Sequence, residues 1–449
     1  MQASRTSTTN PPVEKAFLVG VEIEGEHNPW TVDDSLQELG QLSTTAGAQV
    51  VGAISQKLKA PNPRHFIGSG KVQQLQQLKK QLGFDLVIFD DELTPSQQRN
   101  LEQALGIKVI DRAGLILDVF AQRARTREGR LQVELAQYEY LLPRLTGQWT
   151  HLSRQYGGVG ARGGPGETQL EVDRRKVRQR IRDLKSEIEG VRRHRAQYRK
   201  QREAEGVPVV ALVGYTNAGK STLLKALTEA DISAEDRLFD TLDPTTRRVK
   251  LPGGMQVLMS DTVGFIQKLP PTIVAAFRAT LEELESADVL VHVLDITHPS
   301  GYEQSVTVNA ILADLHLAEK PVVTVLNKID KLVPSLGQDQ TRKDGNYKEL
   351  LGDAIGPLNE LLASYPNAVA VSAAYSWGFS ELLAKIQLVL DDRLAQVKLR
   401  LPYSEGELLA LFHEKGTITK RRYTKDGAMI AGRVPRKLLN RFARYAVQS

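Results

Sequence analysis

Cysteine does not occur anywhere in the 449 residues. Disulfides, thiolate zinc sites and thiol catalysis are thereby excluded, and a reducing cytoplasm is permitted. Long apolar runs are lacking as well: none approaches the roughly 20 residues needed to span a bilayer. The opening MQASRTSTTNPP has no apolar core of the kind a secretory signal carries, and residues 1–14 read as a disordered tail. Its Ser/Thr content with a single Arg only faintly suggests an organelle transit peptide. Internal repeats and low-complexity arrays are absent too.

What is present is ordinary in bulk and uneven in detail. A 41 % hydrophobic and 25 % charged composition is usual for globular protein, and the length implies two to four domains. The net charge of +6 is concentrated: residues 174–202 hold thirteen Lys/Arg against Asp183, Glu187 and Glu189. Most charge runs are solvated helix faces, but one this lopsided is what contact with a polyanion requires.

Four blocks follow along the chain. In the first, up to about residue 126, the apolar runs AFLVGVEI (16–23), DLVIFD (85–90) and KVIDR (108–112) alternate with helical leucine spacing at 71–83 and 94–106. Thr94 with Pro95 starts the second of these helices and Gly106 ends it. Strands separated by helices predict a parallel α/β domain. The second block, 127–205, reads as helix, Gly-rich loop (157–167), helix. Leu170, Val177, Ile181, Leu184, Ile188 and Val191 form a narrow apolar seam suited to a helical hairpin. The third block, 206–395, repeats strand–helix alternation with buried-strand runs at 207–214, 289–296 and 321–330. The polar stretch 333–348 reads as a surface loop there. The last block, 396–449, ends in RVPRKLLNRFARYA, which predicts a basic amphipathic helix.

The third block carries the chemistry. Gly214-Tyr215-Thr216-Asn217-Ala218-Gly219-Lys220-Ser221 lies between an apolar strand and a helix, as a phosphate-binding P-loop demands. Its glycines let backbone amides turn toward phosphate oxygens, and the helix N-terminus adds positive potential. Lys220 would reach the β- and γ-phosphates and Ser221 would bind Mg²⁺. Asn327-Lys328-Ile329-Asp330, at a strand end downstream, selects guanine: a carboxylate can accept from N1–H and the exocyclic amine together, which adenine does not offer. Ser372-Ala373-Ala374 fits the accessory base-binding loop. Asp261-Thr262-Val263-Gly264 follows another strand, where Asp261 would hold the Mg²⁺ water shell and Gly264 offer its amide to the γ-phosphate. The second switch falls in 238–248, where Thr241, Thr245 and Thr246 compete for the Mg²⁺ role and spacing does not choose.

FIGSGKVQQL (66–75), DELTPSQQRNLE (92–103), GGVGARGGPGETQLEVDRR (157–175), GYTNAGKSTL, LFDTLDPTTRR and DTVGFIQKLP together resemble the HflX family of ribosome-associated GTPases, over roughly residues 15–395. The resemblance implies a multidomain α/β fold: an N-terminal parallel α/β domain (15–126), a helical hairpin linker (127–205), a Ras-like P-loop G domain (206–395) and a small C-terminal α+β domain (396–449). It implies Mg²⁺-dependent hydrolysis of GTP to GDP, coupled to binding the large ribosomal subunit and to dissociation or rescue of stalled or idle ribosomes. The family's FATLDP motif aligns on Phe239-Asp240-Thr241-Leu242-Asp243-Pro244, which makes Thr241 the Mg²⁺ ligand. One departure stands in the loop, where Arg162-Gly163-Gly164-Pro165 carries one glycine more than the family's R-G-P-G-E.

The catalytic group expected is Lys220, Thr241 and Gly264. Phe265 replaces the glutamine that orients water in Ras-like enzymes, so intrinsic hydrolysis is expected to be slow. Related GTPases use an Asn at the position of Asn217 to hold K⁺ against the phosphates; bracing of the loop by its amide is the plainer alternative. Arg162 at the loop tip and Arg174, Arg175 and Arg178 on the following helix are expected to contact RNA. A monomer in the cytoplasm is expected, on the ribosome or peripheral to a membrane. The competing readings are a switch that recruits a protein partner, and a nucleotide-driven RNA remodeller with a second site at FIGSGK.

Overall fold

The structure is a computed structural model, and it describes residues 13–25, 30–146, 165–205, 207–228, 239, 245–270, 273, 284–333, 349, 351–391, 394–424, 427–435 and 438–447. The tail 1–12, the loop through Arg162, the switch residues 240–244 and the stretch 334–348 lie outside them. The chain is a multidomain α/β protein whose residues fall into two compact units: those within 1–122, 130–185 and 268–276, and those within 123–129, 186–267 and 277–449. Among the described residues, no helix is long and apolar enough to cross a membrane.

The first unit is built on a four-stranded sheet of order β2-β1-β3-β4, from β1 (Lys15–Ile23), β2 (Gln49–Leu58), β3 (Leu86–Phe89) and β4 (Lys108–Asp111). All three pairings are parallel. Helices α1 (Val32–Thr45), α2 (Ser69–Leu82) and α3 (Pro95–Leu105) supply the crossovers. Local chemistry fixes α3: Thr94 and Gln97 form a reciprocal capping box, Pro95 opens the first turn, and Gly106 closes the helix at φ +63. Three elements of this unit, α1, β2 and the helix at Arg112–Arg123, are not among the runs read from the sequence. Helix α1 is capped by Thr31 on Asp34 and buries Leu36, Leu39 and Leu42, but a Gly and a Ser/Thr run dilute its period.

Helix α4 (Arg112–Arg123) opens with an arginine buried to 1 % exposure. Its guanidinium donates to Asp90 Oδ1 at 2.6 Å and to Glu38, and Ser35 donates to the other Asp90 oxygen at 2.7 Å. Burial pushes Asp90 toward its neutral form, but Arg112 and Lys268 outweigh it and hold the carboxyl below its ordinary range.

Helices α5 (Arg127–Leu141) and α6 (Pro165–Glu205) are the expected second block. Pro165 and Gly166, expected in the loop, belong to α6's first turn, where a proline lacks nothing by having no amide. Of the predicted seam, Ile181 and Leu184 are buried, whereas Val177, Ile188 and Val191 are half-buried. Ion pairs carry the rest of the pairing between α5 and α6, including Arg180–Glu134 and Lys185–Glu139 at 2.8 Å and Arg195–Glu128 at 2.9 Å.

The second unit centres on a six-stranded sheet, order β10-β9-β8-β5-β7-β6, with β5 (Val209–Gly214), β6 (Thr245–Lys250), β7 (Gln256–Asp261), β8 (Val289–Asp295), β9 (Val322–Asn327) and β10 (Val369–Ala370). Only β6 runs antiparallel. One face buries Val210, Leu212, Val291 and Val293 against α7 (Lys220–Thr228) and α10 (Phe379–Asp391); α8 (Gly301–Asp314) and α9 (Ile355–Ser364) complete the helices of this part.

A three-stranded antiparallel sheet follows, order β11-β13-β12: β11 (Leu394–Pro402), β12 (Thr417–Thr424) and β13 (Gly427–Pro435). Its inner face packs Leu399, Leu401 and Ile430 on Phe412 of α11 (Gly406–Lys415) and on Phe442 of α12 (Leu439–Phe442). The long basic helix expected at 433–446 is not formed. Arg433 and Val434 are consumed by pairing with Gln396 and Ala395, and among the described residues of the segment helix is confined to the short α12 and a 3₁₀ turn at Ala443–Tyr445.

Candidate functional site

Strand β5 ends at the sheet centre between β7 and β8, which aims the P-loop out of the carboxyl edge. Two of its glycines are dictated by space. A Cβ on Gly214 (φ +152) would sit 2.4 Å from the Val293 carbonyl oxygen, and one on Gly219 (φ +96) 2.2 Å from Asn327 Nδ2. Lys220 is buried and donates to the carbonyls of Gly214 at 3.0 Å and Tyr215 at 2.9 Å, which hold its ammonium under the loop. Burial, opposed by the charge of Asp261, brings its pKa down to about 8. Asn217 is exposed at φ +61, and its side chain makes no hydrogen bond among the described residues.

The segment after β7 is zipped to the P-loop. Thr216 N donates to Phe265 O at 2.7 Å, Phe265 N donates to Gly214 O at 3.1 Å, and Gln267 N donates to the Tyr215 hydroxyl at 2.8 Å. Phe265 is buried, and a Cβ on Gly264 would meet Thr216 Cα at 2.7 Å. Thr262 anchors the turn on Leu212 O. Ser221 Oγ donates to Asp261 Oδ2 at 2.7 Å, so a hydroxyl and a carboxylate converge beside Lys220. Hard oxygen donors of this kind suit Mg²⁺, which keeps part of its water and takes few protein ligands. Among the described residues, no cluster of three or more His, Asp or Glu that could cage a metal occurs.

Of the other switch, Phe239 is described: it is buried at φ +56 and its amide donates to Thr216 Oγ1 at 2.9 Å. Asp240, Thr241, Leu242 and Asp243 are not described. Thr245 and Thr246 lie in β6 opposite Asp261 and Ser260, and the Thr246 hydroxyl bonds that of Ser260 at 3.0 Å.

The base end is assembled around Asn327. Its Nδ2 donates to Ala218 O at 2.8 Å and its Oδ1 accepts from Ala373 N at 3.0 Å, which joins the P-loop, the end of β9 and the Ser372-Ala373-Ala374 loop. Ser372 Oγ donates to Asp330 Oδ1 at 2.7 Å. Lys328 (φ +66) pairs with Asp295 at 2.7 Å. Burial favours the neutral Asp295, but Lys328 and Thr297 outweigh it and keep its carboxyl below the usual range.

Sequence reasoning did not reach Gln267, Asp295 or His292. Nothing local marks the first two, which act through an amide and through a pair across two strands. His292, beside Val213 and Thr324 on β8, is buried with Nε2 lacking a hydrogen-bond partner. Burial, reinforced by the Lys220 charge, holds its pKa down at about 4. In the first unit, FIGSGK forms a turn into α2, whose N-cap Gly68 makes no side-chain cap bond. A cavity of about 840 Å³ there is lined by Arg99, Lys108 and Tyr140 among others, and by none of residues 66–71. The second-nucleotide reading gains no support from it.

Three family descriptions match successive stretches: "GTP-binding GTPase N-terminal" over 33–121, "GTP-binding GTPase Middle Region" over 123–202, and "50S ribosome-binding GTPase" over 209–328. A GTPase HflX of Caldanaerobacter subterraneus is 42 % identical over 97 % of this chain and 94 % of its own length. That of Alkalihalophilus pseudofirmus is 52 % identical over 71 % and 75 %. That of Escherichia coli is 43 % identical over 88 % of each. A P-loop sequence, an Asn-Lys-Ile-Asp motif at a strand end and relatedness along nearly the whole chain lead to one conclusion: it belongs to the HflX family, binds guanine nucleotide and is a GTP hydrolase.

Proposed function

We propose that this GTPase binds the large ribosomal subunit and couples its nucleotide state to dissociation or rescue of stalled or idle ribosomes. The observation that carries the reading is α6, along which Arg175, Lys176, Arg178 and Arg182 are all exposed, with Arg174 half-buried. Such a row contacts phosphates without reading sequence. The matched family's description as ribosome-binding agrees with it. Arg162, in the loop before α6, is assigned the tip contact with RNA.

In the nucleotide site, P-loop amides 215–221 take the phosphates, Lys220 neutralises the β- and γ-oxygens, and Gly264 offers its amide to the γ-phosphate. Ser221, Thr241 and Asp261 are the residues that would hold Mg²⁺, which would supply charge neutralisation on the phosphates. Asp330 accepts from guanine N1–H and the exocyclic amine while Ser372 steadies it. Phe265, buried, positions no water, so intrinsic turnover is slow and waits for a partner. Asn217, exposed and with no side-chain hydrogen bond among the described residues, is proposed as a K⁺ ligand there. The working form is a cytoplasmic monomer on the ribosome.

The test is GTP turnover with and without purified large subunits, in KCl and in NaCl. Stimulation by subunits is expected, stronger in K⁺, together with binding that falls steeply with salt. Arg174, Arg175 and Arg178→Glu should lose subunit binding and keep GDP affinity. Turnover indifferent to subunits would favour a switch that recruits a protein partner. Asp330→Asn should abolish the preference for guanine in competition with ATP.

A further inference from the structure

The strands of the last sheet carry an asymmetry that the nucleotide site does not use. LAQVKLRLP, TITKRRYT and GAMIAGRVP contain six Lys/Arg and no Asp or Glu. Alternation sorts them. Leu399, Leu401 and Ile430 face the helices, and Arg421 lies on that side too, bonding His413 of α11 at 3.0 Å. The remaining five point to the other face. Register then sets two rungs across the sheet: Lys398–Ala431–Lys420 and Arg400–Met429–Arg422, with Arg433 beside Gln396 on a third. Lys398, Arg400, Lys420 and Arg422 are exposed, as is Met429 at 41 %. No ion pair among the described residues engages Lys398, Lys420, Arg422 or Arg433.

Successive rungs on one face lie about 6.6 Å apart, and the outer strands about 10 Å apart. The face is thus two parallel rows of cations flanking a low apolar strip. A polyanion with regularly spaced charge fits such rows. A membrane would want large apolar groups to bury, and among the described residues the strip on this face consists of Met429 and the small Ala431. Sequence-reading RNA platforms stack bases on aromatics, and none stands on this face. We infer that the open face of β11-β13-β12 is an RNA-binding surface that grips the phosphate backbone without reading sequence. It is separate from α6 and stands whether or not the ribosome reading holds.

The experiment uses the full chain and a fluorescein-labelled mixed-sequence 20-nucleotide RNA, with anisotropy followed from 50 to 300 mM KCl. Lys398→Glu with Arg422→Glu should weaken binding about tenfold or more and flatten the salt dependence by about two phosphate contacts. The same pair is placed in the Arg175→Glu/Arg178→Glu background, so that α6 cannot mask the loss. Arg441→Glu with Arg444→Glu makes the same charge change off this face and should alter affinity less than threefold. Arg422→Lys should retain binding, and unchanged GDP affinity in each variant establishes that it is folded. RNA affinity unaltered by the sheet reversals in both backgrounds, or lost equally in the off-face control, overturns the proposal. So does a preference for one base composition of more than tenfold.

Discussion

The Thr216 amide donates to the Phe265 carbonyl across 2.7 Å, so the P-loop and the segment after the Asp261–Gly264 motif are one hydrogen-bonded piece. Gly264 is what lets them approach: a Cβ there would stand 2.7 Å from Thr216 Cα, a backbone atom that cannot yield. Gly264→Ala should therefore force the segment off the loop. Single-turnover GTP hydrolysis should fall at least tenfold, about 1.4 kcal/mol in barrier, while GDP affinity changes less than threefold. Undiminished turnover would show that the approach is dispensable.

Ser372 offers a milder change at the base end. Its hydroxyl donates to Asp330 Oδ1 at 2.7 Å and accepts from Tyr375 N at 3.3 Å. Ser372→Ala removes both bonds, and a net cost of about 1 kcal/mol, roughly fivefold in GDP affinity, is expected by calorimetry. ATP affinity should not change in parallel.

Stability of the first unit leans on Arg112. Removing its charge leaves Glu38 and Asp90 buried side by side, with Lys268 reaching only Asp90 and Asp91. Arg112→Met should cost about 3–5 kcal/mol by urea unfolding, since breaking one side of a buried pair is far worse than never having had it. Glu38→Gln in the same background should recover part of that loss.

His292 gives the fold a pH dependence of definite sign. Its pKa is about 4 in the folded chain, below the roughly 6.5 of an unfolded histidine. The unfolded chain thus takes up the proton first as pH falls. The stability linked to His292 is intact above about pH 6.5 and lost progressively down to 4, some 2 kcal/mol by pH 5. Thermal unfolding at pH 7 and pH 5 should show His292→Leu losing less than the parent protein; equal losses would count against this account.

The geometry of the proposed nucleotide site is local, which is why its motifs could be read from sequence. Gly214 and Gly219 stand where a Cβ has no room, Lys220 is buried beneath its own turn, and Asn327 and Asp330 lie at a strand end. Helix α3 was legible for the same reason, its cap, proline and terminal glycine all lying within it. The segment 433–446 was not. Its helical period is real, but Arg433 and Val434 gain more from pairing with β11, a partner far away in sequence. Arg112 reads from sequence as a strand-end arginine, and only the approach of Glu38 and Asp90 reveals it as a buried hub. Where a residue's partners are distant, composition and period carry no trace of them.

The Asn327 side chain spans from Ala218 to Ala373, and the space it needs exists only because Gly219 has no Cβ. Positions 219 and 327 are therefore mechanically coupled, although they belong to different motifs. A side chain at 219 would have to displace the Asn327 amide, and with it the two hydrogen bonds that tie Ala218 to Ala373.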